Sequence, residues 1–101
     1  MLRIILVPEA NDDLEDAFVW HGEQSPGLDD RFLEEINSAL EQISKSPYRF
    51  PERFNGVRVT LLRKFKYAIF YEVDEPRGVI SVYGILHQAR NPKFLKKRIG
   101  G

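Results

Sequence analysis

The chain has 101 residues, 43% of them hydrophobic and 30% charged, enough for one compact domain with a small core. It contains no cysteine, which excludes a disulfide framework and any thiolate metal site. The formal net charge is zero, yet residues 1–50 carry four basic and eleven acidic groups and residues 51–101 the reverse. Such segregation points either to an acidic or polyanionic partner for one face, or to two halves that neutralise each other across the fold.

Residues 2–7, "LRIILV", read as a short apolar strand. The run is too short for a signal-peptide core or a membrane span, and an acidic segment follows it, so the expected setting is the cytoplasm with no membrane partner. Pro8 stops strand pairing and suits the first turn of a helix, where Glu9, Asp12 and Asp13 favour the positive end of the helix dipole. Leu14, Ala17, Phe18 and His21 recur at helical spacing, and "SPG" at 25–27 ends the helix. On that apolar face His21, next to Trp20, reads as a packing residue. A second helix is expected from Leu28 to Ser46, with Phe32, Ile36, Ala39, Leu40 and Ile43 as its buried stripe.

"SPYRFPERFNG" (46–56), with two prolines and a glycine, reads as a loop. After it, "VRVTLLR" (57–63) and "YAIFYEV" (67–73) are rich in β-branched and aromatic residues, and the basic "KFK" between them reads as a hairpin turn. "DEPRG" (74–78) is a second turn, and "VISVYGIL" (79–86) a third strand after it. No repeat, low-complexity tract or linker interrupts the chain, so residues 1–101 are read as a single domain. The order β-α-α-β-β-β predicts an α+β fold, with two helices packed on one face of an antiparallel sheet.

Strand alternation then assigns faces. Val57, Val59 and Leu61 are expected against the helices, as are Ile80, Val82, Gly84 and Leu86. Arg58, Thr60, Tyr83 and His87 are expected on the uncovered face. The middle strand is ambiguous because both of its residue sets are apolar or aromatic, so Tyr67 and Tyr71 fit either side. A face bearing Arg, Tyr and His suits RNA: arginine forks onto phosphate, tyrosine stacks on bases, and histidine moves protons near neutral pH. Each residue also has a plain structural role open to it: packing for the tyrosines, a strand-end hydrogen bond for His87, and a solvated hairpin tip for Arg63, Lys64 and Lys66. Two histidines without cysteine or carboxylate–histidine spacing give no metal site, and there is no Gly-rich phosphate loop, so no cofactor is expected.

Several stretches resemble the ParE/RelE superfamily of toxins. "PEANDDLEDAFVWHGEQSPGLDDRFLEEINSALEQISKSPYRFP" is similar to its helical half, and "VRVTLLRKFKYAIFYEV" with "ISVYGILHQARNP" to its strand half. The resemblance implies the toxin of a type II toxin–antitoxin module, partnered by a cognate antitoxin whose acidic segment suits the basic second half. It leaves two targets open. ParE-like members poison DNA gyrase, and RelE-like members cut mRNA on the ribosome without a metal. A ribonuclease needs a base, an acid and cations on the phosphate. Arg58, Arg63 and Arg90 are the candidate cations, His87 the acid or base, and Glu52 the partner carboxylate. The chain departs from the RelE-like pattern: "FLKKRIGG" lacks the C-terminal tyrosine, and Arg58-Val59 stands where many relatives have paired arginines. The ParE-like branch is therefore expected, with Arg58, Arg63, Lys64, Tyr83, His87 and Arg90 as binding residues; Arg58, His87 and Arg90 become catalytic only if the chain is a ribonuclease.

Overall fold

In the computed structural model, which describes residues 2–99, strand β1 (Arg3–Leu6) leads directly into helix α1 (Pro8–Gln24). Pro8 occupies the first turn of α1, where a missing N–H costs nothing. Helix α1 stops at Ser25, whose N–H bonds back to the His21 carbonyl. Gly27, at φ 83°, turns the chain into helix α2 (Leu28–Lys45), a conformation that glycine adopts without steric cost. Asp29 and Asp30 in its first turn and Lys45 in its last complement the helix dipole.

Strands β2 (Glu52–Phe54), β3 (Val57–Leu61), β4 (Tyr67–Asp74) and β5 (Val79–His87) follow, and a short 3-10 helix (Pro92–Lys97) ends the described chain. The sheet order is β1-β5-β4-β3-β2. As expected, the fold is α+β with both helices on one face. The sheet is mixed, because β1 runs parallel to β5 while the other pairs are antiparallel. Strand β2 lies inside the segment expected to be a loop. The two prolines before it and its three-residue length hide it from pattern reading, and Pro51 at its start helps make it a blunt edge strand.

The main core lies between the helices and the sheet. Phe32, Ile36 and Ile43 of α2 are fully buried against Ile69, Tyr71, Ile80, Val82 and Ile85. His21 packs here as expected. It stacks on Phe32 with ring centroids 4.4 Å apart, and its Nδ1 lies 2.6 Å from the Ala17 carbonyl. A second, smaller core closes the opposite face, where Val57, Ala68, Phe70 and Leu86 meet Leu95 of the 3-10 helix.

That second core overturns the expected face assignment. Val57 and Val59 lie away from the helices, so by alternation Arg58 points to the helix side, where Thr60 is also buried. In β5 a bulge breaks the alternation: Phe70 pairs with Gly84 but Tyr71 with Val82, leaving Tyr83 as the extra residue. Ile80, Val82 and Ile85 therefore face the helices, while Leu86 joins the second core with Tyr83 at its border. Arg58, Thr60, Tyr83 and His87 do not share one open face. Tyr71, ambiguous in sequence, is wholly buried on the helix side, and its hydroxyl donates to the Pro47 carbonyl at 2.6 Å.

The opposed charges of the two halves are mostly not paired with each other. Among the described residues, Lys45–Glu41, Arg58–Glu52 and Arg77–Asp74 each stay within one half, and only Arg98–Asp13 joins the two. No helix among the described residues is long and apolar enough to cross a membrane.

Candidate functional site

The residues singled out in the sequence fall into three places. Arg58 sits in β3 opposite Tyr71. Its Nη1 donates to the carbonyls of Phe50 at 2.7 Å and Tyr48 at 3.2 Å, and its guanidinium lies 5.3 Å from the Tyr48 ring centre. Glu52 approaches it only at 3.9 Å. This arginine is a strut that ties the segment after α2 to the sheet, because it supplies donors to carbonyls that no strand pairs.

Tyr83, at the β5 bulge, faces away from the helices. Its hydroxyl donates to Glu72 Oε1 at 2.9 Å, and its pKa is pushed up to about 12, by burial first and by the Glu72 carboxylate second. A phenol held in that way is a poor proton donor at neutral pH.

His87, Arg90, Arg63 and Lys64 gather at the far end of the sheet, where the β3–β4 turn meets the end of β5. His87 is exposed, pairs across from Tyr67, and accepts the Ala89 N–H on Nδ1 at 3.1 Å. Because Nδ1 accepts, the proton of the neutral ring sits on Nε2. The Arg90 N–H bonds to the His87 carbonyl at 3.0 Å, which folds the turn, and its guanidinium lies 4.3 Å from the centre of the Phe94 ring. The β3–β4 turn is fastened beside them. The Lys64 N–H donates to Glu35 Oε1 at 2.7 Å, and the Gln88 N–H donates to the Lys66 carbonyl at 2.8 Å. The turn is thus fixed at both ends, and it presents its lysine side chains to solvent.

Arg58 is distant from this end. Its strand neighbour Tyr71 lies four residues along β4 from Tyr67, the partner of His87. With a rise of about 3.3 Å per residue and about 4.8 Å between strands, the Cα atoms of Arg58 and His87 stand about 16 Å apart. The hypothetical catalytic set is therefore split, and only His87 and Arg90 adjoin. Beside them, on the face away from the helices, lies a groove floored by Val59, Leu61 and Phe70 and rimmed by Arg53 and Arg90. Leu61 on this floor is 59% exposed.

Two features were missed in the sequence. Arg98 reaches from the C-terminal segment to α1, with Nη1 and Nη2 donating to Asp13 Oδ2 and Oδ1 at 2.6 and 3.2 Å. The same Nη1 donates to the Tyr83 carbonyl, and Asp13 accepts the Ile85 N–H. The pair thus serves the two backbone groups that the β5 bulge leaves without a strand partner past the end of β1. A partial signal existed, namely an acid in the first turns of α1 and a basic tail, but 85 residues separate the two. The second feature is Trp20, half exposed on α1 beside this end of the sheet.

Residues 4–92 match the family model described as the ParE toxin of the type II toxin–antitoxin system parDE. No curated protein sequence matches the chain. Among solved structures, the chain superposes on one from the chromosomal ParDE toxin–antitoxin system of P. aeruginosa with a TM-score of 0.75. That match has 15% identity and covers 86% of this chain and 96% of the other, a likeness that speaks for the fold.

Proposed function

The chain belongs to the ParE toxin family of type II toxin–antitoxin systems, and on that premise we propose that it arrests growth by binding DNA gyrase, held in check by a cognate antitoxin. The observation that carries the binding mode over RNA cleavage is the split of the basic set. Arg58 is committed to backbone carbonyls about 16 Å from His87, and Tyr83 hydrogen-bonds to a carboxylate on the opposite face. General acid–base catalysis needs its groups within hydrogen-bond reach of one reacting centre. Binding to a large partner needs only a surface. Here that surface is the basic end formed by Arg63, Lys64, His87 and Arg90, continued by the apolar groove beside Arg53. An acidic, amphipathic antitoxin segment complements the same region, whose groove is lined by no acidic residue.

The test is a pulse-label experiment in a bacterial host expressing this chain alone. Thymidine incorporation falling before methionine incorporation is the expected result. Methionine incorporation falling first favours the RelE-like ribonuclease. In that case His87→Ala must lower mRNA cleavage at least about 10²-fold, the usual size of an acid–base contribution. A chain that depresses neither label but still captures its antitoxin would be a toxin reduced to binding.

A further inference from the structure

Between α1 and the β3–β4 turn lies a cleft of about 600 Å³ whose wall is a continuous arc of rings. Trp20 meets His21 edge-on with centroids 4.9 Å apart, His21 meets Tyr67 at 5.5 Å, and Tyr67 meets His87 edge-on at 5.5 Å. Lys64 and Lys66 stand at the mouth, exposed, and no acidic side chain lines the cleft. Among the described residues neither lysine makes an ion pair.

His21 gives this arc a chemical direction. The Ala17 carbonyl can only accept, so Nδ1 carries a proton, and in the neutral ring Nε2 holds a lone pair. The residue is 4% exposed, and Nε2 has no hydrogen-bond partner among the described residues. Since no buried side-chain nitrogen or oxygen there is sealed off without a partner, Nε2 opens onto the cleft as an acceptor. His87, with its proton on Nε2, is a donor at the other end of the arc. The cleft thus offers an aromatic wall of mutually tilted rings, one acceptor opening onto it, one exposed donor and two unpaired cations.

We propose that this cleft binds a nucleoside phosphate. The base stacks on the half-exposed indole of Trp20, an exocyclic amino group donates to His21 Nε2, and the phosphate lies between Lys64, Lys66 and His87. Indole faces accept any nucleobase, and lysines take phosphate as point charges. The cleft volume falls within the roughly 300–1,000 Å³ of small-molecule sites. The cleft shares Lys64 and His87 with the proposed partner surface, but ligand binding is read on the chain alone, so its failure leaves the gyrase reading standing. Two sources share this chemistry, a free nucleotide and the phosphorylated end of a single strand.

Trp20 is the sole tryptophan of the chain, so its fluorescence reports the cleft directly. The purified chain is titrated with adenosine 5′-monophosphate, with adenosine, and with inorganic phosphate. The expected result is saturable quenching by the monophosphate, with adenosine weaker by about tenfold or more, the scale of one charge-assisted contact. Lys64→Ala with Lys66→Ala is expected to weaken the monophosphate to the level of adenosine. Both side chains are exposed, and an unchanged circular dichroism spectrum shows that the variant is folded. A 5′-phosphorylated oligothymidine that displaces the monophosphate at lower concentration identifies a strand end as the ligand; failure to displace it identifies the free nucleotide. The proposal is overturned by the absence of saturable quenching up to on the order of 5 mM monophosphate, or by equal binding of the double-lysine variant.

Discussion

Arg98→Met removes the cation from the one ion pair that, among the described residues, links the two halves of the chain. The pair is bidentate, with distances of 2.6 and 3.2 Å, and its side chains are only 14% and 11% exposed. The substitution leaves Asp13 charged and mostly buried, and it strips the Tyr83 carbonyl of its donor. Breaking a buried pair from one side costs about 3–5 kcal/mol, and the residual exposure of both groups sets the expectation at the lower end, about 3 kcal/mol. Asp13→Asn keeps the shape and removes the charge, so the double variant, which strands neither charge, is expected to recover about 2 kcal/mol relative to additivity. Urea unfolding followed by Trp20 fluorescence reads the cost, and trypsin cleavage after Lys96 or Lys97 reads release of the C-terminal segment. Gly84→Ala attacks the same joint sterically: an added Cβ would lie 2.8 Å from Leu95 Cδ2, so tail cleavage is expected to rise there too. A loss below about 1 kcal/mol for Arg98→Met, the scale of an exposed pair, with no change in tail cleavage, would refute the view that this bridge holds the segment.

Phe32→Ala is expected to cost about 3–5 kcal/mol in urea unfolding, because the ring is fully buried among His21, Phe65 and Tyr67; a loss under about 1 kcal/mol would mean that α2 packs on another face. Arg58→Ala is expected to lower stability by about 1.5–3 kcal/mol through its two carbonyl contacts, an effect visible in the chain alone and independent of any RNA. Unchanged stability would sink the strut reading and return Arg58 to the list of free cations. Burial raises the pKa of Tyr71 from 10.0 to about 12. The unfolded chain then loses that proton first as pH rises, so this contribution to stability is whole below pH 10.0 and drains as pH climbs towards about 12. Tyr71→Phe is expected to flatten the fall of the urea midpoint in that window, and an unaltered slope would show that the phenol does not report burial.

The helices were legible because each buries a single stripe. Phe32, Ile36 and Ile43 repeat at helical spacing and all three are fully buried, and His21 falls where its apolar face requires. The longer strands were legible from their residue types, but their faces were not, for two physical reasons. Strand β4 is apolar on both sides because both sides are cores, so alternation carries no label. Strand β5 changes parity at Tyr83, and Gly84 beside it is the one weak mark of that bulge in the sequence. The reading therefore turned Arg58 outward and grouped it with Tyr83 and His87. What the structure brings together is local in the chain: the turn from His87 to Arg90, next to the lysine-bearing hairpin. What depends on distant pairing, the Asp13–Arg98 bridge and the approach of Trp20 to Tyr67, could not be read from spacing.

The most direct test of the account is made with purified components. Gyrase, ATP and relaxed plasmid are incubated with this chain, and the DNA is denatured and scored for protein-linked breaks. The account predicts that micromolar chain accumulates linear DNA from trapped cleavage complexes and that the cognate antitoxin suppresses it. Gyrase that supercoils unimpeded, while the same preparation cuts mRNA on translating ribosomes, would contradict it.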